Sequence, residues 1–258
     1  MSDIIDKLAM DAQRTILSGF YSIKRRGTHN SVSLSQSIRD CEGNALITEI
    51  KTASPSMGVI VDKIDLKHVA SEMMNNGAAC ISVLTEPKNF NGDITYLEEV
   101  RKVVDIPILM KDFVLSPIQL SVAQNNGADA VLLIKTLFDR GYCECSLDEM
   151  IKYAHLKDLE VLLESHTIEE FNESMETDAD LIGINNRDLR TLEVNLETTR
   201  KILSQTEKVC KPVVSESGVK SASDLTELKS LGVSAFLVGT ALMKSSDLGR
   251  AIKELVQG

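Results

Sequence analysis

The 258-residue sequence predicts one closed (β/α)8 barrel of the α/β class, the TIM-barrel architecture, with residues 1–44 as an N-terminal helical extension. Three observations lead there. Eight short apolar runs recur, starting 21 to 35 residues apart, and each interval has room for a helix. The runs are apolar on both alternations, as parallel strands covered by helices must be. No Pro-, Gly- or Ser-rich linker and no low-complexity tract interrupts the series, so residues 1–258 read as a single domain. An open doubly wound sheet usually carries a Gly-rich phosphate turn after its first strand, and none is present here.

The elements follow in order. "MSDIIDKLAMDAQRTILSGF" alternates charged and apolar residues and reads as an amphipathic helix rather than a signal peptide. The first strand is "ALITEIK" (45–51). "DLKHVASEMMNNG" then keeps Leu66, Val69, Ala70 and Met73 on one helical face and stops near Gly77. Strands "CISVLTE" (80–86) and "PILMKDF" (107–113) come next, and "SPIQLSVAQNNG" opens a helix with Ser116 as N-cap and Pro117 at the first helical position. "ADAVLLI" (128–134), "LEVLLES" (159–165), "LIGINNR" (181–187) and "PVVSES" (212–217) continue the series. "SASDLTELKSLG" offers Ser221 or Ser223 as cap and ends at Gly232, before the last strand, "AFLVGT" (235–240).

Composition removes several function classes. A net charge of −10 and a pI near 5.0 argue against a nucleic-acid surface, which needs a basic stripe. No segment approaches the roughly 18 apolar residues of a membrane span, so no membrane partner is expected. Cys41, Cys80, Cys143, Cys145 and Cys210 are odd in number and irregular in spacing, as reduced thiols of a cytoplasmic protein would be. Cys143-Glu144-Cys145 lacks the two-residue spacer of zinc and redox pairs and reads as a plain loop, so no metal site is expected.

The polar residues gather at strand ends. Glu49 and Lys51 differ by two, so both point to one face of the first strand. Lys111 closes the third run, Glu164 the fifth, Asn185 and Arg187 the sixth, and Glu216 the seventh. In a barrel these ends converge on one mouth, the face from which catalytic groups come. The alternative is a structural ion-pair network plugging the barrel, although apolar side chains would make a plug with less desolvation. "SESGV" and "VGTAL", at the ends of the seventh and eighth strands, suit a phosphate site built from backbone N–H groups, to which Ser54 would add a hydroxyl.

The strings "ITEIKTASPSMGVI", "SVLTEPKNFNGDITYLEEVR", "IPILMKDFVLSPIQL", "GADAVLLI", "LIGINNRDLRTLEVNL", "VSESGV" and "FLVGTALM" resemble, strand by strand, the indole-3-glycerol phosphate synthases of tryptophan biosynthesis. The resemblance runs from about residue 33 to 250. It implies a cofactor-free carbon–carbon lyase that closes 1-(2-carboxyphenylamino)-1-deoxyribulose 5-phosphate to indole-3-glycerol phosphate, with loss of carbon dioxide and water. It implies that Lys111 is the general acid and that Glu49, Lys51, Glu164, Asn185 and Glu216 complete the catalytic set. Arg187 and Ser217 would bind substrate, Ser54, Gly218, Gly239 and Thr240 would contact its phosphate, and Phe90 would line the pocket. The reaction fits these residues: a ketone oxygen must be protonated as an aromatic carbon attacks it, and a lysine tuned by carboxylates donates that proton. Lys51 would hold the substrate carboxylate and pair with Glu164 for the dehydration, Asn185 would bond the hydroxyls, and Arg187 would anchor Glu49 or the substrate.

The sequence departs from the family's pattern where Met57 replaces a basic residue and where "LLESHT" surrounds Glu164. His166 reads as a strand-end structural histidine rather than a base. Two other readings stand beside this one: another ribulose-phosphate barrel enzyme, an isomerase, and a non-catalytic barrel that binds a phosphorylated ligand. Isomerases of that kind use Cys or Asp at strand ends that here carry Lys51 and Lys111, and a mere binder needs no acid–base pair. Oligomeric state and docking to other enzymes of the pathway are left open by the sequence.

Overall fold

The computed structural model describes residues 3–22, 29–55, 57–60, 64–206 and 208–258. Part of the anticipated N-terminal extension, residues 1–2 and 23–28, therefore lies outside the described residues. Eight strands form the barrel: β1 (Ala45–Ile50), β2 (Cys80–Leu84), β3 (Ile108–Lys111), β4 (Ala130–Ile134), β5 (Glu160–Ser165), β6 (Leu181–Asn185), β7 (Val213–Glu216) and β8 (Ala235–Val238). Each pairs in parallel with its neighbours in sequence, and β1 closes the ring by pairing with β8, Ala45 opposite Ala235.

The double apolar alternation resolves into two packed layers. Leu46, Ile81, Val83, Ile108, Met110, Val131, Leu133, Val161 and Leu163 face outward and pack with the helices. Their chain neighbours Ala45, Ile47, Cys80, Leu109, Ala130, Leu132, Leu162, Leu181, Val214 and Ala235 belong to a second cluster that fills the barrel. The strands are buried from both sides for this reason.

The helices are α1 (Ile4–Leu17), α2 (Leu34–Arg39), α3 (Leu66–Asn75), α4 (Thr95–Arg101), α5 (Pro117–Asn125), α6 (Lys135–Asp139), α7 (Leu147–His155), α8 (Ile168–Met175), α9 (Glu197–Gln205), α10 (Ala222–Ser230), α11 (Thr240–Met243) and α12 (Leu248–Gln257). Their ends obey local chemistry. Ser116 caps α5 in a reciprocal box with Gln119, and Pro117 stands first in the helix. Ser221, not Ser223, caps α10, in a box with Asp224. Gly77, with φ +99°, follows α3 in the left-handed region, where a side chain would be strained.

Two intervals hold more than the single helix their lengths suggest. After β4 the chain turns at once into the five-residue α6 before α7, and after β8 the four-residue α11 precedes α12. The extension touches both ends of the barrel. On α1, Asp6 accepts from Arg140 and from the Tyr142 hydroxyl, each at 2.8 Å, in the segment after β4. The Tyr21 hydroxyl donates to Asp112 at 2.8 Å, beside Lys111. At the opposite end, Ser33 and Ser35, at the start of α2, donate to Glu160 at the beginning of β5 (2.6 and 2.9 Å). Among the described residues no helix is long and apolar enough to cross a membrane.

Candidate active site

The two-residue period that fills the barrel also delivers the polar ring. Along β1 the inward series Ala45, Ile47 continues with Glu49, 1% exposed, and then Lys51, one residue past the strand. Leu109 is followed by Lys111, Leu162 by Glu164, Leu181 and Gly183 by Asn185, and Val214 by Glu216. Register sets these side by side: Asn185 is opposite Glu216, and Glu164 is opposite Gly183.

Each ammonium has its own carboxylate. Lys111 Nζ lies 2.6 Å from Glu216 Oε2 and 3.6 Å from Glu164 Oε2. Lys51 Nζ lies 2.6 Å from Glu49 Oε1 and 5.9 Å from the centre of the Phe90 ring. Within the ring, Glu164 is the neighbour of Lys111, and Lys51 that of Glu49. Arg187 feels the Glu49 charge, which opposes the effect of its burial, and its guanidinium donates to Leu192 O at 2.8 Å.

The carboxylates around Lys111 differ in charge. Burial opposes the charge on Lys111, but Glu216, Glu164 and Glu49 overcome it and hold the ammonium above the usual lysine range. Burial likewise opposes a charge on Glu164, yet Lys111 and His166, helped by Asn185, bring it down to about 2. Glu216 is pushed up to about 7 by burial and by the Glu164 charge, which Lys111 offsets only in part. The two carboxylates that share the ammonium are thus shifted in opposite directions, Glu164 down and Glu216 up.

A cavity of about 770 Å³ opens above the ring. Glu49, Lys51, Phe90, Lys111, Glu164, Asn185, Arg187, Ser217, Gly218, Gly239 and Thr240 line it. Glu216 does not; it is 0% exposed and lies beneath, against Lys111. Ser54 is buried in a small antiparallel ribbon, Ala53–Ser54 with Gly58–Val59, whose turn brings Met57 to the cavity wall. After β7, Ser217 (φ +64°) and Gly218 (φ +94°) are both left-handed, and a Cβ on Gly218 would come within 2.8 Å of Val194. Thr240 starts the four-residue α11, whose Met243 N–H already bonds Gly239 O and whose summed dipole is small.

Sequence reasoning missed several contributors. Gly183 is one: a Cβ there would overlap Glu216 Oε1, so only glycine leaves room for that carboxylate under Lys111. Glu86, 2% exposed, accepts from the N–H groups of Lys88, Asn89 and Phe90 (3.0, 2.6 and 3.0 Å) and so fixes the loop carrying Phe90. Asp112, pushed up to about 6 by burial, joins the chain after Lys111 to Thr85 and Tyr21 (2.5 and 2.8 Å). Lys220 and Lys244 line the cavity near the two glycine loops, on a side that carries no other ammonium among the described lining residues. The string "TEPKNF" held a signal for Glu86, an acid just ahead of a turn; Gly183 had none, because its neighbour is 33 residues away.

A (β/α)8 barrel with paired lysines and carboxylates at the C-terminal mouth, open to a cavity, is the make-up of an acid–base barrel enzyme. The model of the family described as indole-3-glycerol phosphate synthase matches residues 6–255. The chain is 44% identical over 212 residues to indole-3-glycerol phosphate synthase of Desulforamulus reducens, covering 82% of this chain and 78% of that one. It is 37% identical over 252 residues to the enzyme of the same name from Acetivibrio thermocellus, covering 96% and 94%. The chain belongs to the indole-3-glycerol phosphate synthase family, carbon–carbon lyases of tryptophan biosynthesis. Among solved structures, thiamine phosphate pyrophosphorylase from Pyrococcus furiosus superposes with a TM-score of 0.62 at 20% identity, covering 86% of this chain and 96% of that one, a likeness of fold alone.

Proposed function

We propose that the chain closes the indole ring of 1-(2-carboxyphenylamino)-1-deoxyribulose 5-phosphate with Lys111 as general acid. The observation that carries this reading is the position of Lys111: its ammonium stands at the cavity floor between the carboxylates of Glu164 and Glu216, 3.6 and 2.6 Å away. As the aromatic carbon bearing the carboxylate attacks the ketone, Lys111 delivers a proton to the ketone oxygen. Carbon dioxide then leaves and aromaticity returns. In the dehydration the hydroxyl departs as water with a proton from a lysine, while Glu164, ionised and facing the cavity, accepts the proton the ring gives up. Glu216, out of reach of the cavity, supports Lys111 and can restore its proton. Asn185 bonds the hydroxyls, and Arg187 holds Glu49 in place.

At the other end, Ser217, Gly218, Gly239 and Thr240 receive the phosphate through backbone N–H groups; Ser54, buried in its ribbon, is not among the described residues of the cavity wall. Lys51 offsets the substrate carboxylate until carbon dioxide leaves, and Phe90, tilted against Phe113 with centroids 6.1 Å apart, packs on the aromatic ring. The extension, packed at both ends of the barrel, supports a single domain spanning the chain. The five free cysteines support a reducing, cytoplasmic setting.

The direct test is to mix the protein with the carboxyphenylamino ribulose phosphate and follow indole fluorescence. Turnover should survive exhaustive chelation and dialysis; a loss that only added metal restores would overturn the cofactor-free reading. Lys51→Met should raise KM as well as lower kcat, because it loses a ground-state contact with the carboxylate. A Lys51→Met enzyme with parent KM would move the carboxylate elsewhere.

A further inference from the structure

Lys111 has two carboxylate neighbours, and among the described residues only one of them has a second cationic group beside it. Glu216 is a full ångström closer to the ammonium than Glu164 is (2.6 against 3.6 Å), so Lys111 alone would favour an ionised Glu216. Glu164 has a further neighbour that Glu216 lacks. Its second oxygen, Oε1, lies 3.3 Å from His166 Nε2, and the other ring nitrogen lies 3.7 Å from Glu170 Oε2. Glu170 is fixed in turn by the Thr136 hydroxyl (2.6 Å) and by the His166 backbone N–H (2.7 Å). Glu216 has no such support, since its Oε1 is buried without a hydrogen-bond partner.

We infer that His166, as an imidazolium between Glu164 and Glu170, is the positioning residue that keeps Glu164 ionised and leaves the proton to Glu216. The row Lys111, Glu164, His166, Glu170 then alternates in charge from the cavity floor to the base of α8. The His166 side chain is 13% exposed, so water screens these contacts weakly. Neither ring nitrogen has good hydrogen-bond geometry, so the contact acts through charge rather than direction. The other charged groups around it are largely occupied. Arg140 is held by Asp3 and Asp6, Lys135 by Asp139 and Glu173, and Asp188 by Arg190. Arg187 and Glu193 line a groove together with His166, and Arg187 donates to Leu192 O. Burial opposes the ring's charge, but the two glutamates bring its pKa up to about 9.

The inference rests on the role proposed for Glu164, and the experiment separates the two. Imidazole signals of the unliganded protein are followed against pH by NMR, a readout that needs no turnover; the signal missing from His166→Gln identifies His166 among the four histidines. The expected midpoint lies well above 6.5, and Glu170→Gln should lower it. In the parent, catalysis is scored as kcat/KM against pH. His166→Gln, which keeps polarity but not charge, should raise the Glu164 pKa and move the acidic limb up by about one unit, with about a tenfold loss on that limb that higher pH recovers. Glu170→Gln should leave the alkaline side unchanged, because Glu164 is ionised there whether or not His166 carries a proton. A parent midpoint at or below 6.5 overturns the inference. So does a His166→Gln protein whose acidic limb stays in place, or whose activity falls equally at every pH in step with early melting. A parent that makes no indole product while His166 titrates high strikes only the proposed function.

Discussion

Lys111→Met should fold, still bind substrate, and turn over at least about 10²-fold more slowly than the parent, the usual contribution of a positioned acid. Binding should persist because the phosphate loops and Lys51 are separate from Lys111. Folding should persist because the two carboxylates left facing each other need not both be charged: Glu216 already takes a proton near neutrality. The sign of the stability effect follows. At slightly acidic pH the variant should melt close to the parent, since Glu216 is protonated and Glu164 keeps His166. Raising the pH forces a second buried charge with no ammonium beside it, so the variant should lose stability faster than the parent on the alkaline side. A structural plug predicts another pattern, a large loss of stability with activity proportional to folded protein. The measurements are kcat, KM and melting curves at two pH values. A well-folded Lys111→Met enzyme with near-parent kcat would falsify the assignment of the acid.

The structure bears on the plug reading as well. Glu49 Oε2 and Glu216 Oε1 are buried without partners, and the ring opens onto a cavity rather than closing over itself. A network built for stability would satisfy those oxygens, because an unpaired buried acceptor costs about 1–3 kcal/mol.

The barrel and the membership of its polar ring were legible because both depend on a period of two along one strand. Knowing that Ile47 is inside puts Glu49 inside, and Leu162 does the same for Glu164. The pairing within the ring was not legible. Whether Glu164 meets Lys51 or Lys111 depends on the stagger between strands far apart in sequence, which no local pattern encodes. The same limit hid Gly183, whose meaning comes from Glu216, and the position of α1, whose Asp6 finds Arg140 134 residues away. His166 was readable as a strand-end histidine, but its two carboxylate partners make it more than that: Glu164 is two residues back on the strand and Glu170 one helical turn ahead.

Gly239→Ala should damage both chemistry and binding, which revises what the sequence alone suggests. Read from "VGTAL", Gly239 lets the backbone approach a phosphate, so a bulky replacement such as Val would raise KM greatly with a smaller fall in kcat. The structure adds a second neighbour: a Cβ on Gly239 would stand 2.5 Å from Glu49 Oε1 and 3.0 Å from Glu49 Cβ. Real side chains do not approach that closely, so Glu49 must move, and with it Lys51, held by the same Oε1 at 2.6 Å. Glu49 has little room to yield, because it is 1% exposed on an interior strand and its Cβ as well as its carboxylate stands in the way. Displacing a catalytic pair by about an ångström can lower the rate about 10²-fold. Gly239→Ala should therefore show a raised KM together with a kcat reduced by at least about tenfold. Its melting temperature should fall only modestly, since the strain sits at the mouth and not in the packed layers between strands and helices. Kinetics with the ribulose phosphate substrate, beside a melting curve, decide the matter. A parent kcat with raised KM would restore the simpler phosphate reading, and a parent KM with lowered kcat would mean that the glycine serves Glu49 alone.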